Sequence, residues 1–399
     1  MKNYELSTDS NLLEYLDYFK KAEYVSKYTD SKLDFILGKS HLQLFAGLPE
    51  ETLSKLKLEK KVFHKKLSSK EYFEAIKMDF IIRSIVNANS LKSLPDIEYI
   101  INSNLTEVNN HFLENNLLTN SPQIITLDIV FIENVFEYFH DILVDIVIRQ
   151  YYGGAAKRDP GFCNAVDLLL NQPLSFGEKD MNRLLTFRLF KIKTNYDRGR
   201  EYLRDFVVKG KFQELNKDSL DENECLVSLL LRNQEELEIS NDIFYTSLPN
   251  HLYLSVIAIV GRLANFFIDI SLNRVVFKKL ENEQRAIIAK YGNVIKTNHL
   301  DKMVYLDAAI TETLRFSINT ISMKQSLCDI YLPNGVLLPK GSFAKFNAIT
   351  YSRSSDIFLN HPHDYIPERH FILGTKLNKA SKTNLIWGLG RFGSKYLVE

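Results

Sequence analysis

A chain of 399 residues, 45% hydrophobic and 25% charged, has ordinary globular composition and can bury a large core. Its net charge of +1 excludes the basic footprint of nucleic-acid binding and any general attraction to acidic surfaces. Cys163, Cys225 and Cys328 are odd in number, widely spaced and free of a CxxC pattern, which argues against a disulfide framework or structural zinc and reads as a reducing compartment.

Along the chain, the polar start from Met1 to Ser10 holds no signal-peptide core or spanning segment, so the chain as given reads as soluble or peripheral, with no transmembrane segment. Asn104-Leu-Thr106 is a glycosylation sequon without a secretory signal and reads as inert. The apolar stretch Ile124–Ile148 contains Asp128, Glu133, Glu137, Asp141 and Asp145. An acid at mid-membrane costs about 2.5–3.5 kcal/mol, so this stretch is expected as an amphipathic soluble helix closed by Gly153-Gly154. Helical periodicity dominates from about residue 10 to 320. Within it, Leu248–Lys279 is expected as one long helix, with Pro249 in its first turn and a near-continuous apolar run from Leu254 to Ile270.

Residues 302–316 predict a shorter amphipathic helix, after which the pattern changes to period two. The Asn334-Gly335 pair between apolar runs predicts a hairpin within Asp329–Gly341. The remainder reads as an ordered meander, giving a single domain over 1–399: mainly helical to 320, a small sheet over 321–350, and meander and loop over 351–399. The fold class is mainly α with a small β region. His361, His363, Asp364 and His370 cluster like metal ligands, but their spacing matches no catalytic zinc pattern. No phosphate-binding loop, nucleophile elbow or dinucleotide fingerprint is present.

The order of Glu312-Thr-Leu-Arg315, Leu332-Pro-Asn-Gly335, Leu338-Pro-Lys-Gly341, Pro367-Glu-Arg-His-Phe371 and Trp387-Gly-Leu-Gly390-Arg-Phe-Gly-Ser394 resembles the cytochrome P-450 family. It is most similar to fungal members that oxidise terpenoids and other secondary metabolites. Weaker similarity runs through Tyr152-Gly-Gly154, Arg158-Asp-Pro-Gly-Phe162 and Leu254–Ile259. The resemblance implies the P-450 fold, here without the usual N-terminal membrane anchor and without the helix and strands that follow the haem loop. It implies haem b, a lipophilic small-molecule substrate, a reductase as electron donor if the chain is active, and for family members anchoring at the endoplasmic reticulum. Glu312 and Arg315, three apart, share a helix face, and Arg369 falls where the family adds a second arginine to that pair. Trp387, Gly388, Gly390, Arg391 and Phe392 map onto the haem loop.

Three departures go with the resemblance. Ser394 stands where the family keeps its iron-ligating cysteine, and Phe392 where a cation holds a haem propionate. A serine hydroxyl is neutral at pH 7, and thiolate donation is what favours O–O cleavage in this family. Gly261 and Arg262 occupy the oxygen-activating positions of the long helix, where the family has an acid or polar residue and threonines. No Trp-x-x-x-Arg clamp for a propionate lies between Ser90 and Thr106, and Cys328, the last cysteine, reads as a small buried hydrophobe. The expectation is a P-450-like protein with impaired or absent catalysis, a pseudoenzyme. The alternatives are an active monooxygenase represented by an incomplete or mis-spliced chain, and a helical ligand- or partner-binding protein without haem.

Overall fold

The structure is a computed structural model and describes residues 24–29, 32–55, 57, 74–79, 81, 82, 84, 85, 98, 100, 101, 103, 134–170, 194–215, 225–292, 296–318, 321–359, 361–379 and 381–385. The chain forms two compact units, Ser68–Ala264 and Met1–Leu67 with Asn265–Glu399.

In the first unit, helix α1 covers Val135–Tyr152. The expected helix over Ile124–Ile148 therefore starts later, because Asn134 leaves helical geometry and its carboxamide accepts the amides of Phe136 and Glu137 at 3.1 and 3.3 Å. Residues 124–133 lie outside the described residues. Phe139, Ile142, Val147 and Ile148 are buried, Glu137 and Asp141 are exposed, and Gly153 ends the helix at φ 75°.

Helices α2, Pro160–Leu170, and α3, Asn195–Val208, pack together. Asp159 caps α2 by accepting the Phe162 amide at 3.0 Å, and it also takes the Tyr202 hydroxyl at 3.2 Å and pairs with Lys211. Thr194 and Asp197 form a reciprocal capping box on α3. The two helices approach so closely at Gly199 that an added Cβ would lie 2.5 Å from the Ala165 carbonyl and 2.9 Å from the Leu169 nitrogen. Both obstacles are backbone, so Gly199→Ala is expected to cost about 1–3 kcal/mol by overpacking despite its better helix propensity. A denaturation midpoint equal to wild type would contradict this.

Helix α4 covers Leu226–Arg232, and α5 runs from Asn241 to Leu272, starting in this unit and ending in the other. The expected span of Leu248–Lys279 is corrected at both ends. Pro249 lies inside α5 rather than in its first turn. Just upstream of it, the hydroxyls of Thr246 and Ser247 bond the Asp242 and Ile243 carbonyls at 2.6 and 2.7 Å. At the other end Asn273 turns to φ −118°, ψ 77°, its carboxamide Nδ2 donates to the Asp269 carbonyl at 2.7 Å, and a separate helix α6 follows over Arg274–Tyr291. Among the described residues α5 is the one helix long and apolar enough to cross a membrane. The core helix of a globular protein can meet the same criterion; α5 buries Ile243, Phe244, Leu248, Leu252, Val256 and Val260 but leaves Leu254, Ile259, Phe267, Ile268 and Leu272 exposed.

In the second unit, α6 is followed by α7, Val304–Phe316, and by a short α8, Arg369–Leu373. A five-stranded sheet has the order β1-β2-β7-β4-β3, with β1 Tyr24–Thr29, β2 Lys32–Leu37, β3 Leu53–Ser54, β4 Ile321–Ser326 and β7 Phe343–Asn347. The helical expectation for residues 10–320 is corrected here, since β1 to β3 belong to this sheet. Strand β2 pairs in parallel with β7, and all other neighbours are antiparallel. The predicted hairpin forms between β5, Ile330–Tyr331, and β6, Leu337–Leu338, around Gly335 at φ 80°. Phe35, Leu37, Phe45, Leu53, Leu338 and Phe346 form the core under the sheet, and Phe266, Ile270, Val276, Leu280 and Ala309 form a second core between helices. Cys328 is exposed, which corrects the expectation of burial: it sits in the turn between β4 and β5, where its carbonyl takes the Ser326 hydroxyl.

Candidate functional site

Helix α7 is held at its start by Glu283 of α6, whose carboxylate accepts the Tyr305 and Leu306 amides at 2.6 and 2.9 Å. Small residues Ala308 and Ala309 let it pack closely, and Thr311, Glu312, Thr313 and Arg315 are buried along it. The three-residue spacing puts Glu312 and Arg315 in a bidentate pair, Nε to Oε2 and Nη2 to Oε1, both 2.8 Å.

Arg369 closes the cluster with Nε 2.9 Å from Glu312 Oε1. Two further donors reach the same carboxylate: the Ile366 amide at 3.0 Å and His370 Nε2 at 2.8 Å. Glu312 thus accepts five hydrogen bonds and is fully buried. Burial alone pushes its carboxyl up, but the hydrogen bonds and charges of Arg315 and then His370 outweigh it and draw the value down to about 2. Such a saturated carboxylate has neither a proton to give nor a free lone pair to accept one.

The remaining guanidinium hydrogens organise the meander. Arg315 bonds the carbonyls of Ser352 and Pro362 at 2.6 and 2.7 Å, and Arg369 bonds those of Phe358, His361 and Asp364, the last two at 2.9 Å. Aiming these carbonyls inward bends the chain into the left-handed region at Leu359, φ 64°, and His361, φ 57°. That geometry costs of order 1–3 kcal/mol at a residue such as Leu359 and is held by the charged donors. The Arg315 guanidinium also stacks on Phe316 and Phe358, 4.1 and 5.0 Å from the ring centroids.

Sequence reasoning brings Glu312, Arg315 and Arg369 together but misses His370, which it groups with His361, His363 and Asp364 as a metal-like cluster. No group of metal-ligating side chains forms among the described residues. Instead His370 lies buried on Glu312, with its Nδ1 unbonded among the described residues, while His361 and Asp364 contribute backbone carbonyls. Its position directly after Arg369, at the start of a short helix, was the available signal.

Gly261 and Arg262 lie in unbroken helix within α5. A Cβ at Gly261 would meet nothing within 4 Å, so packing does not demand glycine there. Arg262 is half-buried, and burial lowers its pKa. Trp387, Gly388, Gly390, Arg391, Phe392 and Ser394 lie outside the described residues.

A largely helical chain with a small mixed sheet and a buried Glu-Arg-Arg cluster tying a meander to a helix defines a recognisable class of protein. The Cytochrome P450 profile matches residues 82–382, and the chain belongs to the cytochrome P450 family. It is 27% identical over 132 residues to a putative cytochrome P450 520B1 from Dictyostelium discoideum, covering 32% of this chain and 27% of that protein. It is 29% identical over 113 residues to a probable cytochrome P450 313a2 from Drosophila melanogaster, covering 25% and 23%. The chain thus matches about a quarter of the length of these relatives. The solved structure of retinoic acid-bound cyanobacterial CYP120A1 superposes with a TM-score of 0.62 at 13% identity, covering 96% of this chain and 82% of that one, which shows the fold.

Family membership implies haem as the cofactor. Residues 386–399, onto which the resemblance maps the haem loop, lie outside the described residues and beyond the matched span of 82–382.

Proposed function

We propose that this chain is a P450-fold protein that has lost haem-thiolate oxygen activation and serves as a binding protein for a lipophilic small molecule. The observation that carries this reading is the pairing of a fully assembled Glu312–Arg315–Arg369 cluster with serine at position 394. Ionic donors buried this deeply are destabilising when any partner is lost, so the cluster serves as a fold lock and its completeness speaks for a fold that is kept. Gly261 and Arg262 support the same reading, because neither offers a hydroxyl for delivering protons to bound oxygen. On this reading Trp387, Gly388, Gly390 and Arg391 are the sequence remnant of a haem-loop motif whose chemistry has lapsed, and a reductase is not a partner.

The test is turnover. The full chain, supplied with haem, a P450 reductase, its electron donor and oxygen, is expected to consume no more oxygen than the same mixture with free haem. Consumption that scales with the protein and is abolished by carbon monoxide would overturn the proposal in favour of an active monooxygenase.

A further inference from the structure

Next to the buried cluster, and independent of the reading just proposed, lies a second chain of polar groups that no feature of the family resemblance calls for. Thr313 Oγ1 is 2.8 Å from Asp269 Oδ2 and 3.1 Å from the Tyr365 hydroxyl, and that hydroxyl is 2.8 Å from the Ala309 carbonyl. Three oxygen–oxygen contacts need three hydrogens. The Thr313 and Tyr365 hydroxyls hold two, and Tyr365 keeps its own because burial drives its ionisation far above the usual range. The Ala309 carbonyl can only accept. With an ionised Asp269, one contact has no hydrogen.

The groups around Asp269 favour supplying the missing one. Facing it are Glu312 and Thr313 from α7 and Tyr365 from the meander. On its own helix, neutral Asn265 and Asn273 lie a turn to either side, engaged with Ser317 and with the Asp269 backbone carbonyl. From α6, Val276 and Leu280 join Phe266 and Ile270 in the apolar cluster alongside. Of the charged groups, Glu312 has the same sign as an ionised Asp269, but Arg315 and Arg369 lie 2.8 and 2.9 Å from the Glu312 carboxylate and balance it, so its influence is small. Burial is the larger influence and the Glu312 charge adds to it; both raise the Asp269 carboxyl, against a smaller opposing contribution from the Thr313 hydrogen bond.

We propose that Asp269 enters this chain as a neutral carboxylic acid, donating to Thr313, which donates to Tyr365, which donates to the Ala309 carbonyl, and that the relay is a pH-sensitive latch joining the last turns of α5 to α7 and the meander. Raising the pH removes the head proton, leaves one contact of the relay without a hydrogen and places a charge in a partly buried site. The sign is opposite to that of Glu312: a carboxyl raised in the folded state contributes stability that is complete below its unfolded value and is lost as pH rises through the folded one.

Infrared difference spectra of the full chain, wild type minus Asp269→Asn, read the protonation state directly. At a pH just above the ordinary aspartate range, the expected difference is a protonated-carboxyl C=O band that converts to a carboxylate band as pH rises further. A carboxylate band as the difference at that pH would overturn the proposal. Thr313→Val keeps the acid and removes the middle of the relay, so the Asp269 C=O band is expected to shift to higher frequency; an unshifted band would show that the two groups do not form a relay.

Discussion

Glu312→Ala is expected to destabilise the folded chain by about 3–5 kcal/mol, because it leaves buried guanidinium charge without its counter-ion. The loss is large because the carboxylate serves Arg315, Arg369, His370 and the Ile366 amide at once, all within 3.0 Å. Each guanidinium in turn fixes carbonyls of the meander, including those that flank the strained Leu359. The pH dependence supplies a finer test. Glu312 is drawn from its ordinary 4.5 to about 2 in the folded state. Its contribution, roughly 3 kcal/mol, is therefore present above the unfolded value and lost as pH falls through the folded one. Stability measured by denaturant unfolding should decline through that window in wild type and be flatter there in Glu312→Gln. Equal slopes, or an Ala variant within about 1 kcal/mol of wild type, would contradict the picture of a buried ionic lock.

Phe162→Ala carries the second large effect, an expected loss of about 3–5 kcal/mol. Phe162 has no exposed surface and sits between two other aromatic rings, Tyr152 at 5.1 Å and Phe206 at 4.8 Å. Those rings come from α1 and α3, and the turn that carries Phe162 is pinned by the Asp159 cap, so the walls of the cavity have little freedom to collapse. Phe162→Leu should cost less than half as much, since it keeps most of the apolar volume. Denaturant midpoints of the two variants check the ordering; an alanine variant no less stable than the leucine variant would refute the rigid packing argued for this core.

What the sequence made legible follows from how local each signal is. Glu312 and Arg315 are three residues apart, and Asn334-Gly335 specifies its turn within a few residues, so both could be read directly. Strand β2 could not: its run Phe35-Ile36-Leu37 fits a buried helix or a buried strand equally, and its parallel partner β7 lies about 300 residues away, as the pair of Asp34 with Lys345 at a separation of 311 shows. The ends of α5 were misplaced because Pro249, which suits a first helical turn, lies inside the helix and because Asn273 breaks an otherwise helical pattern. His370 was misgrouped because spacing along the chain says nothing about which side chain turns inward at the start of a one-turn helix. The Asp269 relay joins α5, α7 and the meander, and only the folded chain shows it.

The central claim is that the family's fold persists here without its iron–thiolate bond, and the reduced carbonyl spectrum of the purified full chain with haem supplied tests it most directly. Serine at position 394 predicts that any haem bound will give the spectrum of a haem lacking thiolate, or that none will bind. The absorption band of thiolate-ligated haem in that spectrum would contradict the claim.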